Sequence, residues 1–329
     1  MNTKGYSFTP PSKALKWTGI IATIGMYIIN FVGFLDTQTN SALGCGPDWP
    51  LCHGRVIPHF NNIHIIIEFA HRMLVAGFAL LATIYMIWAL IRFRQFIEVR
   101  ILSWVGMGFI VVQSILGALA VVFVNPPAIL ALHLGFGLLA MVGVALLTVF
   151  LYQLGAESAQ HKSGISFRKN TPLSTKRWVW ATWIYTYIAI YWGSYVAFRD
   201  AGVACPTWPL CDGKLFPGFS GRVGLDFIHR LAAVGLAIIV GLLLWNLTKY
   251  RQSRPDLYKG AMWLLLAVFA QIITGANLAL SHVATGPYLL HIATLMLLFA
   301  DISYLVLQVV PASAHQAVYA ERSQKISSR

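Results

Sequence analysis

Apolar residues in this chain fall into eight long stretches, at about 17–35, 63–91, 101–124, 128–151, 178–198, 224–247, 260–281 and 286–310, divided by polar segments. Each is about twenty residues or more, the length with which an α-helix crosses a hydrocarbon core of about 30 Å. Barrel strands would alternate apolar and polar positions, and these stretches do not. Only helices or closed barrels satisfy their backbone in lipid. The pattern therefore predicts an all-α integral membrane protein of eight transmembrane helices. The second stretch is long because its first turns are amphipathic.

Composition agrees: 57% of residues are apolar and 11% charged, against about a quarter charged in soluble domains. A net charge of +13 would suit a nucleic-acid partner, so the placement of the basic residues decides. Eighteen of the 24 lie before the first stretch or after the second, fourth, sixth and eighth, among them Lys4, Lys13, Lys16, Arg92, Lys162, Arg168, Lys169, Arg254, Arg322, Lys325 and Arg329. With eight crossings these segments share one side, while Arg55, Arg199, Lys214 and Arg222 lie in the opposite loops. The positive-inside rule makes that side cytoplasmic, with both termini there and loops 36–62 and 199–223 outside the cell membrane. The charge is thus explained by the bilayer, and no nucleic acid is expected. The first stretch ends without a convincing cleavage site and is read as a retained helix. All four cysteines, Cys45, Cys52, Cys205 and Cys211, fall in the outward loops, where structural disulfides persist. A redox-active pair is the alternative, although neither spacing is CxxC.

The chain repeats itself. Cys45-Gly-Pro-Asp-Trp-Pro-Leu-Cys52 is answered by Cys205-Pro-Thr-Trp-Pro-Leu-Cys211, Glu68-Phe-Ala-His71-Arg72 by Asp226-Phe-Ile-His229-Arg230, Gln113 with Gly117-Ala118 by Gln271 with Gly275-Ala276, and His133 by His291. The helix motifs keep an offset of 158 residues. Two parallel, pseudo-symmetric four-helix bundles follow. The expected layout is a cytoplasmic N-terminus (1–16), an N-terminal half (17–151), a polar linker (152–177), a C-terminal half (178–310) and a cytoplasmic tail (311–329).

Ionisable residues inside membrane helices are costly and therefore informative. His71, His133, His229 and His291 each lie five to eight residues past the outer end of their stretch, on helices that all run inward. Each half thus carries two imidazoles at similar depth. Neutral imidazole is the usual protein ligand of haem iron, and facing helices of a bundle can hold a cofactor between them. A lone histidine would more simply be a hydrogen-bonded core residue; four at repeat-related positions point to haem. The other histidines have no repeat partner and read as loop or interface residues. Glu68 and Asp226 sit three residues before His71 and His229, on nearly the same helix face. They could merely neutralise Arg72 and Arg230 at i,i+4. Alternatively the arginines engage haem propionates and Glu68 handles protons near the iron. Glutamate reaches further than aspartate, which assigns the chemistry to the N-terminal half and electron transfer to the C-terminal half. Gln113 and Gln271, with their Gly-Ala partners, read mainly as packing features.

With these residues assembled, the chain resembles the haem A synthase family, in particular its cysteine-containing bacterial class. The resemblance is carried by Gly44-Cys45-Gly46-Pro47-Asp48-Trp49-Pro50-Leu51-Cys52-His53-Gly54, Ile67-Glu68-Phe69-Ala70-His71-Arg72, Leu116-Gly117-Ala118-Leu119-Ala120-Val121-Val122-Phe123, Ala131-Leu132-His133, Ala204-Cys205-Pro206 and His229-Arg230. It spans about 17–310. It implies an oxidoreductase that converts a ring methyl of haem O to the formyl of haem A through a hydroxymethyl intermediate. It further implies that His71 and His133 hold the substrate haem, that Glu68 is the catalytic carboxylate, and that His229 and His291 ligate a resident haem b. Disulfides Cys45–Cys52 and Cys205–Cys211, a haem O synthase as partner and an electron donor are also implied; a homo-oligomer stays open. One departure bears on backbone shape. The family often has Thr-Gly-Ser-Gly where this chain has Thr39-Asn40-Ser41-Ala42, and glycine permits positive φ. The competing reading is a membrane b-type cytochrome that only carries electrons. A third is a thiol oxidoreductase working through the outward cysteines.

Overall fold

A computed structural model describes residues 9–158, 168 and 171–311. Of the residues weighed above, Lys4, Lys162, Lys169, Arg322, Lys325, Arg329, His161 and His315 lie outside the described residues. Eight helices are present among them: α1 Lys13–Gln38, α2 Ile63–Phe93, α3 Ile97–Val122, α4 Pro127–Ser158, α5 Leu173–Phe198, α6 Gly221–Thr248, α7 Pro255–Leu280 and α8 Thr285–Val309. Their polar ends extend past the apolar stretches that announced them. Seven are long and apolar enough to cross a membrane, which makes this a multi-pass membrane protein. The eighth, α5, mixes Lys176, Arg177 and several threonines and tyrosines into its span.

Local chemistry sets the helix boundaries. Ser12 and Asn62 cap α1 and α2 by accepting the N–H groups of Leu15 at 3.2 Å and His64 at 3.0 Å, which satisfies donors the first turn leaves unpaired. The stops repeat between the halves. Asn40 after α1 and Asp200 after α5 have φ of 55° and 47°, and Val124 after α3 and His282 after α7 have φ of 59° and 51°. Asparagine is among the few non-glycine residues that enter this region routinely. Asn40 therefore supplies the left-handed turn where the family often has glycine, and the departure in Thr39-Asn40-Ser41-Ala42 leaves that turn left-handed.

Within each half the helices form a closed ring. Helix α1 packs on α2 and α4 and α3 packs on both, just as α5 and α7 each pack on α6 and α8. This contact pattern is compatible with two duplicated bundles. The halves meet where α4 touches α5 and α8 and where α1 touches α8. Helix α4 is the most enclosed, burying Leu134, Leu138, Met141, Val144, Leu147, Leu151 and Leu154. Polar contacts also cross the seam: Gln38 Nε2 donates to Val283 O at 3.0 Å and the Tyr27 hydroxyl to Ala293 O at 3.3 Å.

The bundle ends differ. At one end, disulfides Cys45–Cys52 and Cys205–Cys211 close two small loops that share an isolated bridge (Cys52 to Arg55, Cys211 to Lys214) and a cis Trp-Pro bond. At the other, Arg168 is fully buried, pairs with Glu98 of α3 at 3.1 Å and donates to Val310 O at 2.8 Å. Nearby, Arg254 pairs with Asp256 at 2.8 Å and donates to Gln308 O at 2.8 Å and to the Thr171 hydroxyl. Arg168, which lies between the halves, is thus bound to α3 and to the end of α8. Buried ion pairs of this kind fix geometry more reliably than they add stability.

Candidate functional site

Each of the four histidines expected at the site lies in a notch made by a glycine on the neighbouring helix. A Cβ at Gly33 of α1 would stand 3.0 Å from His71 Cε1, and one at Gly117 of α3 2.9 Å from His133 Cε1. In the second half, a Cβ at Gly193 of α5 would stand 2.6 Å from His229 Cε1, and one at Gly275 of α7 3.1 Å from His291 Cε1. At Gly117 and Gly193 such distances are closer than real Cβ contacts, and at Gly33 and Gly275 they are tight, so a larger residue would push each ring from its seat. The arrangement is the same in both halves. Gly117 and Gly275 are therefore ring seats, more specific than the general packing role read from sequence. Gly33 and Gly193 were not singled out; their signal was present as an offset of 160 residues between two helices whose other positions diverge.

His71 lies within charge-interaction range of His133, and His291 within that of His229. The polar surroundings of each pair are graded. His133 Nδ1–H donates to the backbone carbonyl of Gln113 at 2.8 Å, which fixes the tautomer and leaves Nε2 as the lone-pair nitrogen. His291 is held by side chains instead: Gln271 Nε2 donates to its Nε2 at 3.0 Å, and the Thr274 hydroxyl lies 3.1 Å from its Nδ1. By contrast, Nδ1 of His71 and of His229 is buried with no hydrogen-bond partner. Such atoms are expensive to bury and mark where a bound group belongs.

One turn toward the disulfide end, Glu68 is buried and uses both oxygens. Oε2 accepts the Cys45 N–H at 2.6 Å, and Oε1 pairs with Arg72. Arg72 also donates to Leu51 O at 2.9 Å. In the second half, Asp226 pairs with Arg230 at 2.9 Å, and Arg230 reaches Thr207 O at 2.7 Å and Cys205 O. Both arginines therefore anchor the cysteine loops to the histidine helices. The acid-to-base pairing allowed from the i,i+4 spacing is present, and the longer glutamate additionally takes a loop N–H. A second carboxylate escaped the sequence reading. Asp36 of α1, one turn beyond Gly33, is buried, lies within charge-interaction range of Glu68 and Arg72, and leaves Oδ1 without a partner. The remaining described histidines do sit in loops or at helix ends: His53 Nε2–H donates to Gly44 O at 2.9 Å, and His64 Nδ1 contacts the Ser41 hydroxyl at 2.9 Å.

These residues suit a porphyrin. Among the described residues no group of three or more His, Cys, Asp or Glu converges as for a bare metal ion. A pair of imidazoles matches an iron whose remaining ligands come from a ring, and the orphaned nitrogens and glycine seats provide the donors and the close helix approach.

Fold and site together define a duplicated, multi-pass helical membrane protein with one histidine pair per bundle. Residues 59–302 match the family model COX15-CtaA, cytochrome oxidase assembly protein. Relatives named heme A synthase come from Alkalihalophilus pseudofirmus (34% identical, covering 92% of this chain and 99% of the relative), Halalkalibacterium halodurans (34%, 90% and 97%) and Symbiobacterium thermophilum (34%, 91% and 96%). The chain belongs to the COX15-CtaA family of cytochrome oxidase assembly proteins.

Proposed function

We propose that the protein is a haem A synthase, a membrane oxidoreductase that oxidises a ring methyl of haem O to the formyl group of haem A. The observation that carries this reading is the fourfold seat, a histidine against a glycine at repeat-related places in both bundles. Its direction comes from relatives of near-equal length that bear that name. In this assignment His71 and His133 hold the substrate haem iron, and His229 and His291 hold a resident haem b, which supplies reversible one-electron chemistry when bound. Glu68 is the carboxylate that takes protons from the substrate side, held in place by Arg72 and the Cys45 N–H. Arg72 and Arg230 hold the disulfide loops, so any propionate contact they make is shared with loop carbonyls.

The reading places both termini in the cytoplasm and the disulfide loops outside, supported by the basic residues that crowd the linker end. A haem O synthase in the same membrane would deliver the substrate. The test is expression with a haem O supply and a competent electron donor, followed by pigment extraction. Appearance of haem A is expected; haem O left unconverted would indicate a cytochrome that only carries electrons.

A further inference from the structure

Gly33 and His71 meet where α1 packs on α2, and each helix carries an acid one turn closer to the disulfide end. The helices run in opposite directions, so Asp36, three residues after Gly33, and Glu68, three residues before His71, both stand about 4.5 Å beyond that contact. A spacing of three also keeps each acid near the helix face that makes the contact. Asp36 is 6% exposed, lies within charge-interaction range of Glu68 and Arg72, and leaves Oδ1 without a partner. The same place in the second half, 160 residues on, holds Val196. A buried carboxyl oxygen without a partner is costly, and this one stands in the half that holds Glu68.

Beyond Asp36 a chain of hydrogen-bonding side chains continues toward the same end. Thr39, which caps α1, places Oγ1 2.7 Å from Ser41 Oγ, and Ser41 Oγ lies 2.9 Å from His64 Nδ1. The Ser41 N–H donates to the Asp36 carbonyl at 2.8 Å, which folds this turn back over the acid. Ser41 is fully buried, whereas His64, one helical turn outward of Glu68 on α2, is partly exposed. A hydroxyl can donate one proton while it accepts another, so Ser41 donates to His64 Nδ1 or receives from it. In the second half Arg199, Ala201 and Arg222 stand at the three positions, and Arg222 Nε donates to Asp200 O at 3.0 Å. With no hydroxyl among them, those three cannot pass a proton by such exchange.

We propose that Asp36 is a second proton-handling carboxylate of the first-half site, and that Thr39, Ser41 and His64 are its outlet at the disulfide end. The inference rests on the functional reading above, in which Glu68 takes protons from the substrate side, and deepens it by giving those protons a way out. Glu68 is engaged at both oxygens, by the Cys45 N–H and by Arg72, whereas Asp36 keeps Oδ1 free to receive. A proton on Glu68 passes to Asp36 across one water: the O–H bond at Glu68 breaks and one forms at Asp36 Oδ1. A second water carries it to the Thr39 hydroxyl. From there each hydroxyl takes one proton and releases another, until His64 gives one to the solvent. No electron moves in these steps. The second half, assigned to electron transfer, has neither the second acid nor the hydroxyl chain.

The test uses the full-length protein retaining its resident haem, supplied with haem O and an electron donor, with kcat and KM for haem A formation measured in ordinary and in heavy water. Asp36→Asn keeps the shape of the side chain and removes its capacity to take a proton. It is expected to lower kcat about tenfold, short of the about hundredfold minimum for a group that meets the reacting atoms. KM should stay within about twofold of wild type, and the solvent isotope effect should exceed that of wild type. Asp36→Glu restores a carboxyl group and is expected to recover most of the rate. Ser41→Ala installs the residue of the second half, breaks the outlet without touching either acid, and is expected to slow turnover in the same way. It is the second variant should Asp36→Asn fail to fold, and the resident haem spectrum reports folding in each. Full kcat in folded Asp36→Asn, or in folded Ser41→Ala where the former does not fold, overturns the proposal while leaving the functional reading intact. So does an equal loss in Asp36→Asn and Asp36→Glu with an unchanged isotope effect, the result of a purely structural role. A wild-type protein that forms no haem A defeats the functional reading and the relay together.

Discussion

The carboxylate of Glu68 accepts the backbone N–H of Cys45 at 2.6 Å, so the residue assigned to proton handling also ties the first disulfide loop to α2. In the second half the tie is made by Arg230 to the Cys205 carbonyl. The same motif thus serves two roles in the first half and one in the second, and this asymmetry guides the predictions.

Glu68→Gln keeps an acceptor for the Cys45 N–H but removes the charge that faces Arg72. Conversion of haem O is expected to fall at least about a hundredfold, as for loss of a general acid–base group, with resident haem content unchanged. Glu68→Ala should in addition lower stability by about 3 kcal/mol, since a largely buried guanidinium loses its partner. Pigment extraction and denaturation measurements check both. Full conversion by Glu68→Gln would return the residue to an anchoring role.

Gly193→Val places a branched side chain where His229 Cε1 lies 2.6 Å from the ideal Cβ position. The ring must move, so haem content per protein should fall severalfold although no ligand is altered. Gly241→Ala is the control, because a Cβ there meets nothing within 4 Å. Pyridine haemochrome assay of the two purified variants checks this, and equal haem content would deny the seat.

Asp36→Val installs the residue found at the repeat-equivalent position, Val196. It removes a buried carboxyl oxygen without a partner, whose burial is costly. The thermal midpoint is expected to rise on the order of 2 °C. A fall would show that Asp36 is satisfied by a group that binds beside Glu68.

Cys205→Ser with Cys211→Ser opens a loop closed by a disulfide of sequence separation 6. Loss of so short a closure should cost about 2 kcal/mol and leave haem content intact. Complete loss of conversion in a folded, haem-loaded variant would instead support electron passage through the cysteines.

The eight helices, the duplication, the four histidines and Glu68 were legible in the sequence, because apolar run length and a 158-residue register survive in one dimension. The ring seats were half legible: Gly117 and Gly275 lie inside a repeated motif, whereas Gly33 and Gly193 stand alone in diverged helices. Which glycine faces which ring depends on helix rotation, which only packing sets. Asp36 escaped because it has no repeat partner and ends a helix where polar residues are expected. Gln113 acts through its backbone carbonyl and Gln271 through its side chain, a distinction that identical residue letters conceal. For Asp301, whose Oδ2 is buried without a partner, the structure offers no explanation.

The most direct measurement is the absorption spectrum of the purified protein, oxidised and dithionite-reduced, beside those of His229→Ala and His291→Ala. Wild type should show the sharp reduced bands of a six-coordinate, low-spin haem, and each variant should lose them. Unchanged bands in both variants would contradict the assignment of paired imidazoles to the iron.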